Sequence, residues 1–138
     1  MFEVQPVRSP ELQAQIAASL GGKFIENTFA FFAAELEDDF TSVKYLIALC
    51  QFTVTPEKAV IRSLDIAEGS EKDEAVTVLV RAVMSWADKA DIPLIEFDDG
   101  AADEDYIRSV SFRRKEDGRY AVDLKKFYRS PCHYNKDE

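Results

Sequence analysis

Val76, Leu79, Val80, Val83, Ala87 and Ala90 recur at the i, i+3, i+4, i+7 spacing of one buried helix face, with Arg81, Asp88 and Lys89 left for water. This helix stands between two β-patterned runs, residues 58–67 and Leu94–Phe97. A helix of about five turns is the kind of crossover that parallel neighbours need. The two runs are therefore expected side by side and parallel. The helix start is written as Ser70 for a cap, Asp73 three residues on as a capping-box acid, and Glu71 and Glu74 at the positive end of the dipole. Its end is marked by Asp91-Ile92-Pro93.

The other elements follow from local signals. Residues 2–7 alternate like a first strand, and Ser9-Pro10 opens a helix that Gly21-Gly22 closes. Residues 28–36 and 44–55 are aromatic and β-branched runs split by the acidic turn Glu37-Asp38-Asp39, and the 58–67 strand follows the turn Thr55-Pro56-Glu57. After the crossover come a short helix near 103–110 and two strands, 112–115 and 120–128, closing as a hairpin about Glu116-Asp117-Gly118. The fold class is α/β of the α+β kind, a mixed sheet in the order β-α-β-β-β-α-β-α-β-β. No linker or repeat divides the 138 residues, so residues 1–138 are read as a single domain, able to bury about two-thirds of its unfolded surface.

Charge limits the partners. Lys plus Arg is 17 against 26 for Asp plus Glu, a net of -9, which repels a phosphate backbone and excludes nucleic acid as a natural ligand. No apolar run reaches membrane-spanning length and the N-terminus has no signal-peptide pattern, so the expectation is no membrane and a cytoplasmic location. Cys50, inside an apolar strand run, is expected to be a buried and inert thiol. Cys132 and His133 are neighbours with only Cys50 of the apolar run besides them among Cys and His, too few to complete a four-ligand zinc site, and Asp98, Asp99, Asp103, Glu104 and Asp105 lack the alternating spacing of a calcium loop.

The order of elements, the apolar fourth-strand pattern Val60-Ile61-Arg62-Ser63-Leu64-Asp65-Ile66 and the aromatic Phe112 that opens the hairpin resemble the GNAT N-acetyltransferase superfamily over nearly the whole chain. The resemblance implies acetyl-CoA as co-substrate, held where the fourth and fifth strands splay apart, and transfer of its acetyl group to a small-molecule or peptide amine. It implies that the backbone at Leu64 and Ile66 meets the pantetheine arm, that Ser70, Lys72 and Ala75 meet the pyrophosphate, and that Asp65 or Tyr106 serves as the acid or base. The lettering of the family's loop departs here. Its Arg or Gln, Gly, and Gly or Ala sites fall on Glu71, Glu74 and Val76 or, one residue earlier, on Ser70, Asp73 and Ala75, of which only Ala75 agrees. The family's helix tyrosine falls on Ile107 with Tyr106 beside it, and its Gly-Phe pair becomes Ser111-Phe112. Two readings remain open, an N-acetyltransferase with a degenerate cofactor loop and a binding or regulatory module of the same fold that has lost acyl transfer. A homodimer formed through the closing hairpin and its Phe127-Tyr128 end is compatible with either.

Overall fold

A computed structural model describes residues 1–39, 41–71 and 73–129; Lys72 and the Cys132-His133 pair lie outside the described residues. In chain order the elements are β1 (Phe2–Pro6), α1 (Pro10–Ser19), β2 (Phe29–Leu36), β3 (Val43–Val54), β4 (Ala59–Ile66), α2 (Glu74–Lys89), β5 (Leu94–Phe97), α3 (Glu104–Ser109), β6 (Arg113–Arg114), β7 (Tyr120–Asp123) and α4 (Leu124–Arg129). The Ser9 hydroxyl accepts the Leu12 N–H at 3.1 Å and Pro10 fills the first turn of α1. The cap is thus the one its residue types dictate.

All strands lie in one sheet, ordered β1-β2-β3-β4-β5-β7-β6. The pairing is antiparallel except between β4 and β5, which run parallel through Ala59↔Ile95, Val60↔Glu96 and Ile61↔Phe97. β4 continues to Ile66, whereas β5 ends at Phe97. The two strands therefore part, and α2 returns across the gap. Val76, Leu79, Val80, Val83, Met84 and Ala87 of α2 are buried in the main core with Ile61, Ile95, Phe97 and Phe112. A smaller core, Ile16, Ala17, Ala30 and Leu49, lies under α1 on the other face of the sheet.

The structure corrects four local readings. Helix α2 starts at Glu74, with Asp73 at its N-cap making no side-chain cap bond, so Ser70 is not the cap. Two successive turns delay the start: the Ser70 N–H donates to the Ala67 oxygen at 2.9 Å and the Asp73 N–H to the Ser70 oxygen at 3.0 Å, with Gly69 taking a φ of 88° that suits glycine. Ala90, past the helix end, is exposed rather than part of the buried face. Arg81 is not left for water, because its guanidinium donates to Ser111 Oγ at 3.2 Å and stands 4.8 Å from the centre of the Phe127 ring. Finally, the last strand stops at Asp123 and the chain turns into α4, where Asp123 Oδ1 accepts the Lys126 N–H at 3.1 Å and the Leu124 N–H donates to the Pro93 oxygen at 2.9 Å. Phe127 accordingly packs on the core from a helix instead of ending a hairpin.

Among the described residues no helix is long and apolar enough to cross a membrane, and no group of three or more Cys, His, Asp or Glu is placed to hold a metal ion.

Candidate active site

The parting of β4 and β5 is tied for a short way by the loop after β5. The Asp98 N–H donates to the Ile61 oxygen at 2.9 Å and the Leu64 N–H to the Ala101 oxygen at 3.2 Å. Beyond Leu64 a cleft of about 680 Å³ opens, with Leu64 and Ile66 of β4 on one side, Asp73 and Thr77 at the start of α2 on another, and Ala102, Tyr106 and Ser109 closing it. That size is within the range of small-molecule clefts. Of the two backbone positions expected to meet a ligand arm, Leu64 already spends its N–H on Ala101. Ile66, two residues on, presents its N–H along the same strand edge, toward the cleft.

Tyr106 lines this cleft from α3, with its hydroxyl buried and outside hydrogen-bond geometry with any described group. Burial pushes its pKa up to about 12, against a smaller lowering from Thr77, whose hydroxyl acts on it without reaching hydrogen-bond geometry. The phenol is therefore neutral near pH 7 and holds a proton it can donate. The following turn is left-handed without a glycine: buried Ser111 adopts a φ of 78°, with its N–H bonded to the Arg108 oxygen at 3.1 Å. A left-handed residue with a Cβ costs about 1–2 kcal/mol, and the Arg81 bond to Ser111 Oγ helps to hold it.

Asp65 is on β4 but not in the cleft. Its register partner is Leu49, as Ser63 is that of Gln51, which sets its side chain on the α1 face. There the carboxylate presses on Gly22, where an added Cβ would lie 2.3 Å from Asp65 Oδ2. Oδ2 is buried with no hydrogen-bond partner, and burial raises the Asp65 pKa above its usual value. Asp65 and Tyr106 thus flank β4 from opposite faces and do not meet in one pocket. The buried Cys50 thiol responds to both sides: its own burial pushes its pKa up, the Asp65 charge pushes further, and Cys50 in turn acts on Tyr106. It is a thiol, not a nucleophilic thiolate.

A group that sequence reasoning missed fixes the loop over Asp65. Gln51, fully buried, accepts from Gln13 Nε2 at 2.8 Å and the Ile25 N–H at 2.9 Å, and donates to the Lys23 oxygen at 2.9 Å and Ser63 Oγ at 3.0 Å. All four hydrogen-bonding positions of the amide are used. The signal was there as a lone glutamine in the apolar run Leu49-Cys50-Gln51-Phe52. Glu96 is a second such group: fully buried, it meets Lys115 at 2.5 Å, Lys58 at 3.2 Å and Arg119 at 3.5 Å. Burial favours its neutral form, yet the hydrogen bonds and charges of Lys115 and Lys58 prevail and hold its pKa below the usual carboxylate value.

The phosphate end of the implied co-substrate fits poorly at the α2 start. Ala75 is buried in the core, Ser70 sits in a turn, and the cleft wall carries Glu71, Asp73, Asp103 and Asp105 with no cation among its described lining residues. A helix N-terminus stabilises an anion by about 0.3–2 kcal/mol. One carboxylate about 6 Å from a phosphate charge costs about 0.7 kcal/mol in water and about 3 kcal/mol at an effective dielectric of about 20. Two or more acids at that distance would offset the dipole. The thioester end meets no such obstacle, since Leu64, Ile66 and the Tyr106 hydroxyl offer an apolar wall and a proton donor.

No known sequence family and no curated protein matches the chain. Solved structures match its fold. An acetyltransferase of the GNAT family from Staphylococcus aureus is similar with a TM-score of 0.64 at 10% identity, over 90% of this chain and 99% of that one. A chain of the NatC complex bound to Gag peptide and CoA gives 0.61 at 11% identity, over 87% and 94%. The IAA acetyltransferase from Bacillus cereus gives 0.59 at 12% identity, over 84% and 79%. The expected order of elements as far as β7 and the expected parallel β4–β5 pair, which parts beyond Ile61, are present.

Proposed function

We propose that this chain, which has the fold of the GNAT acetyltransferases, is an N-acyltransferase that moves an acetyl group from acetyl-CoA to a primary amine. The observation that carries the reading is the buried, unpartnered Tyr106 hydroxyl on the wall of the cleft where β4 and β5 part. Orphaned buried polar atoms cost stability and are retained where they serve a reaction.

In this reading the thioester lies along β4 beside Tyr106, its pantetheine arm against Leu64 and the Ile66 N–H. The amine enters the same cleft as the free base, its proton lost to solvent, since Asp65 lies on the other face of β4. The amine nitrogen attacks the carbonyl carbon, a C–N bond forms, the C–S bond breaks, and the sulfur takes the Tyr106 proton. Tyr106 is restored through solvent by the proton that the amine nitrogen releases on forming the amide. The acceptor is a small-molecule or peptide amine, and as a cation it is drawn to a chain of net charge -9.

The test is thiol release from acetyl-CoA in the presence of polyamines, amino acids and peptide N-termini. Amine-dependent release supports the proposal. Absence of both release and acetyl-CoA binding would leave a binding module of the same fold.

A further inference from the structure

Past Asp105 and Ser109, which border the acid-walled cleft, a second cleft of about 530 Å³ opens between α3, β6 and β7. Among its described lining residues the charge is of the other sign, with Arg108, Arg113 and Arg114 against Asp105. The guanidinium carbons of Arg108 and Arg114 stand 5.6 and 5.3 Å from the centre of one ring, that of Tyr120. Two like charges are thus drawn to the same aromatic group, where they repel each other. Arg114 is compensated by Glu104 at 2.8 Å and also meets the Tyr120 hydroxyl at 3.3 Å. Arg108, exposed, makes no ion pair among the described residues. Arg113 is turned onto the Arg108 and Phe112 carbonyl oxygens at 3.4 and 3.0 Å, which fixes its guanidinium on the cleft wall.

This concentration of arginine is notable in a chain of net charge -9 whose neighbouring cleft carries four carboxylates. Arginine's planar fork suits phosphate oxygens, and its charge survives at any relevant pH. A phosphate-bearing ligand held along β4 is repelled from Glu71 and Asp73 but finds cations a short way across the Asp105–Ser109 rim. We propose that the cleft lined by Arg108, Arg113 and Arg114 is an anion subsite, which takes the phosphate groups of the donor nucleotide in place of the α2 loop. The proposal rests on the acyl-transfer reading for the identity of the donor, though not for the existence of the anion site.

The experiment is calorimetry on the full chain with three probes: CoA, pantetheine and adenosine 3′,5′-bisphosphate. The expected result is that CoA binds more tightly than pantetheine and that the bisphosphate binds alone, with both phosphate ligands weakened by added salt. In Arg108→Ala both should lose about tenfold or more in affinity, since a hydrogen-bonded charge contributes about 1.5–3 kcal/mol, while pantetheine is unaffected; Arg108→Lys should fall between. The Arg108 side chain is exposed and makes no hydrogen bond or ion pair among the described residues, so circular dichroism of the variant should match the wild type. An Arg108→Ala protein that binds CoA and the bisphosphate as wild type does would overturn the proposal, as would a wild type that binds pantetheine more tightly than CoA or that binds neither phosphate ligand. Binding of the bisphosphate that depends on Arg108, without binding of CoA or pantetheine, would keep the anion site and discard the acyl-transfer reading.

Discussion

Gly22→Ala is the sharpest probe of how Asp65 is held, because it disturbs the carboxylate without altering it. Gly22 has no left-handed backbone that alanine would resist; its constraint is contact, with the added Cβ falling 2.3, 2.4 and 2.7 Å from Oδ2, Cγ and Oδ1 of Asp65. Ordinary contacts begin near 3.4 Å, so the carboxylate must turn away or the loop must lift from β4. The loop is pinned by the Gln51 bonds to Lys23 and Ile25. Overpacking of this kind costs about 1–3 kcal/mol, and restricting the unfolded chain returns about 0.4–1 kcal/mol. The net loss is about 0–2.6 kcal/mol, a fall in Tm of up to about 12 °C for a chain of this length. In an Asp65→Ala background the clash is absent and Gly22→Ala should be neutral or stabilising by about 0.4–1 kcal/mol. Thermal melts of the four proteins in this cycle should thus give a coupling of about 1–3 kcal/mol. A coupling near zero would refute the reasoning, since the cost would then lie in the loop and not in the carboxylate.

Two other outcomes concern charge. Asp65 has a raised pKa in the fold, so between its ordinary value of 3.8 and the higher folded value stability falls as pH rises; Asp65→Asn should therefore raise Tm at pH 7, with the gain shrinking as pH drops toward 3.8, and a gain independent of pH would contradict this. Glu96 has a lowered pKa, so its contribution is complete above its ordinary value of 4.5 and is lost as pH falls through the folded value. Glu96→Ala leaves Lys58, Lys115 and Arg119 facing one another and should cost about 2–3 kcal/mol after allowing for partial solvent screening of the cations; denaturant melts showing no loss would remove the cluster as a stabilising element.

The fold was legible where one face of an element had to be apolar. The spacing from Val76 to Ala87 required a helix, and the runs either side required parallel strands, which is what β4 and β5 are. The C-terminal end was not legible, because Tyr120-Ala121-Val122-Asp123-Leu124 alternates as a strand and no glycine or proline marks the switch to α4. Ser70 looked like a cap by residue type, but two tight turns intervene before α2. Tyr106, picked out in the sequence by its one-residue offset from the family position, lines the cleft. The face occupied by Asp65 was not, since it depends on a register that shifts between Gln51 and Phe52. The arginine cleft was hidden for a similar reason: Arg108 and Arg114 come to one ring only because Ser111 turns the chain at a φ of 78°.

The most direct test of the acyl-transfer claim is the rate of amine-dependent thiol release from acetyl-CoA by the wild type and by Tyr106→Phe, measured side by side. The substitution removes one buried hydroxyl that has no hydrogen-bond partner and keeps the ring that packs against the core, so the variant should fold and melt like the wild type or slightly higher. The account predicts measurable wild-type release with at least one amine and a loss of about tenfold or more in kcat for the variant, within the usual range for a general acid. Release left intact by Tyr106→Phe would take the proton donor out of the account, and a wild type that releases no thiol with any amine would contradict it altogether.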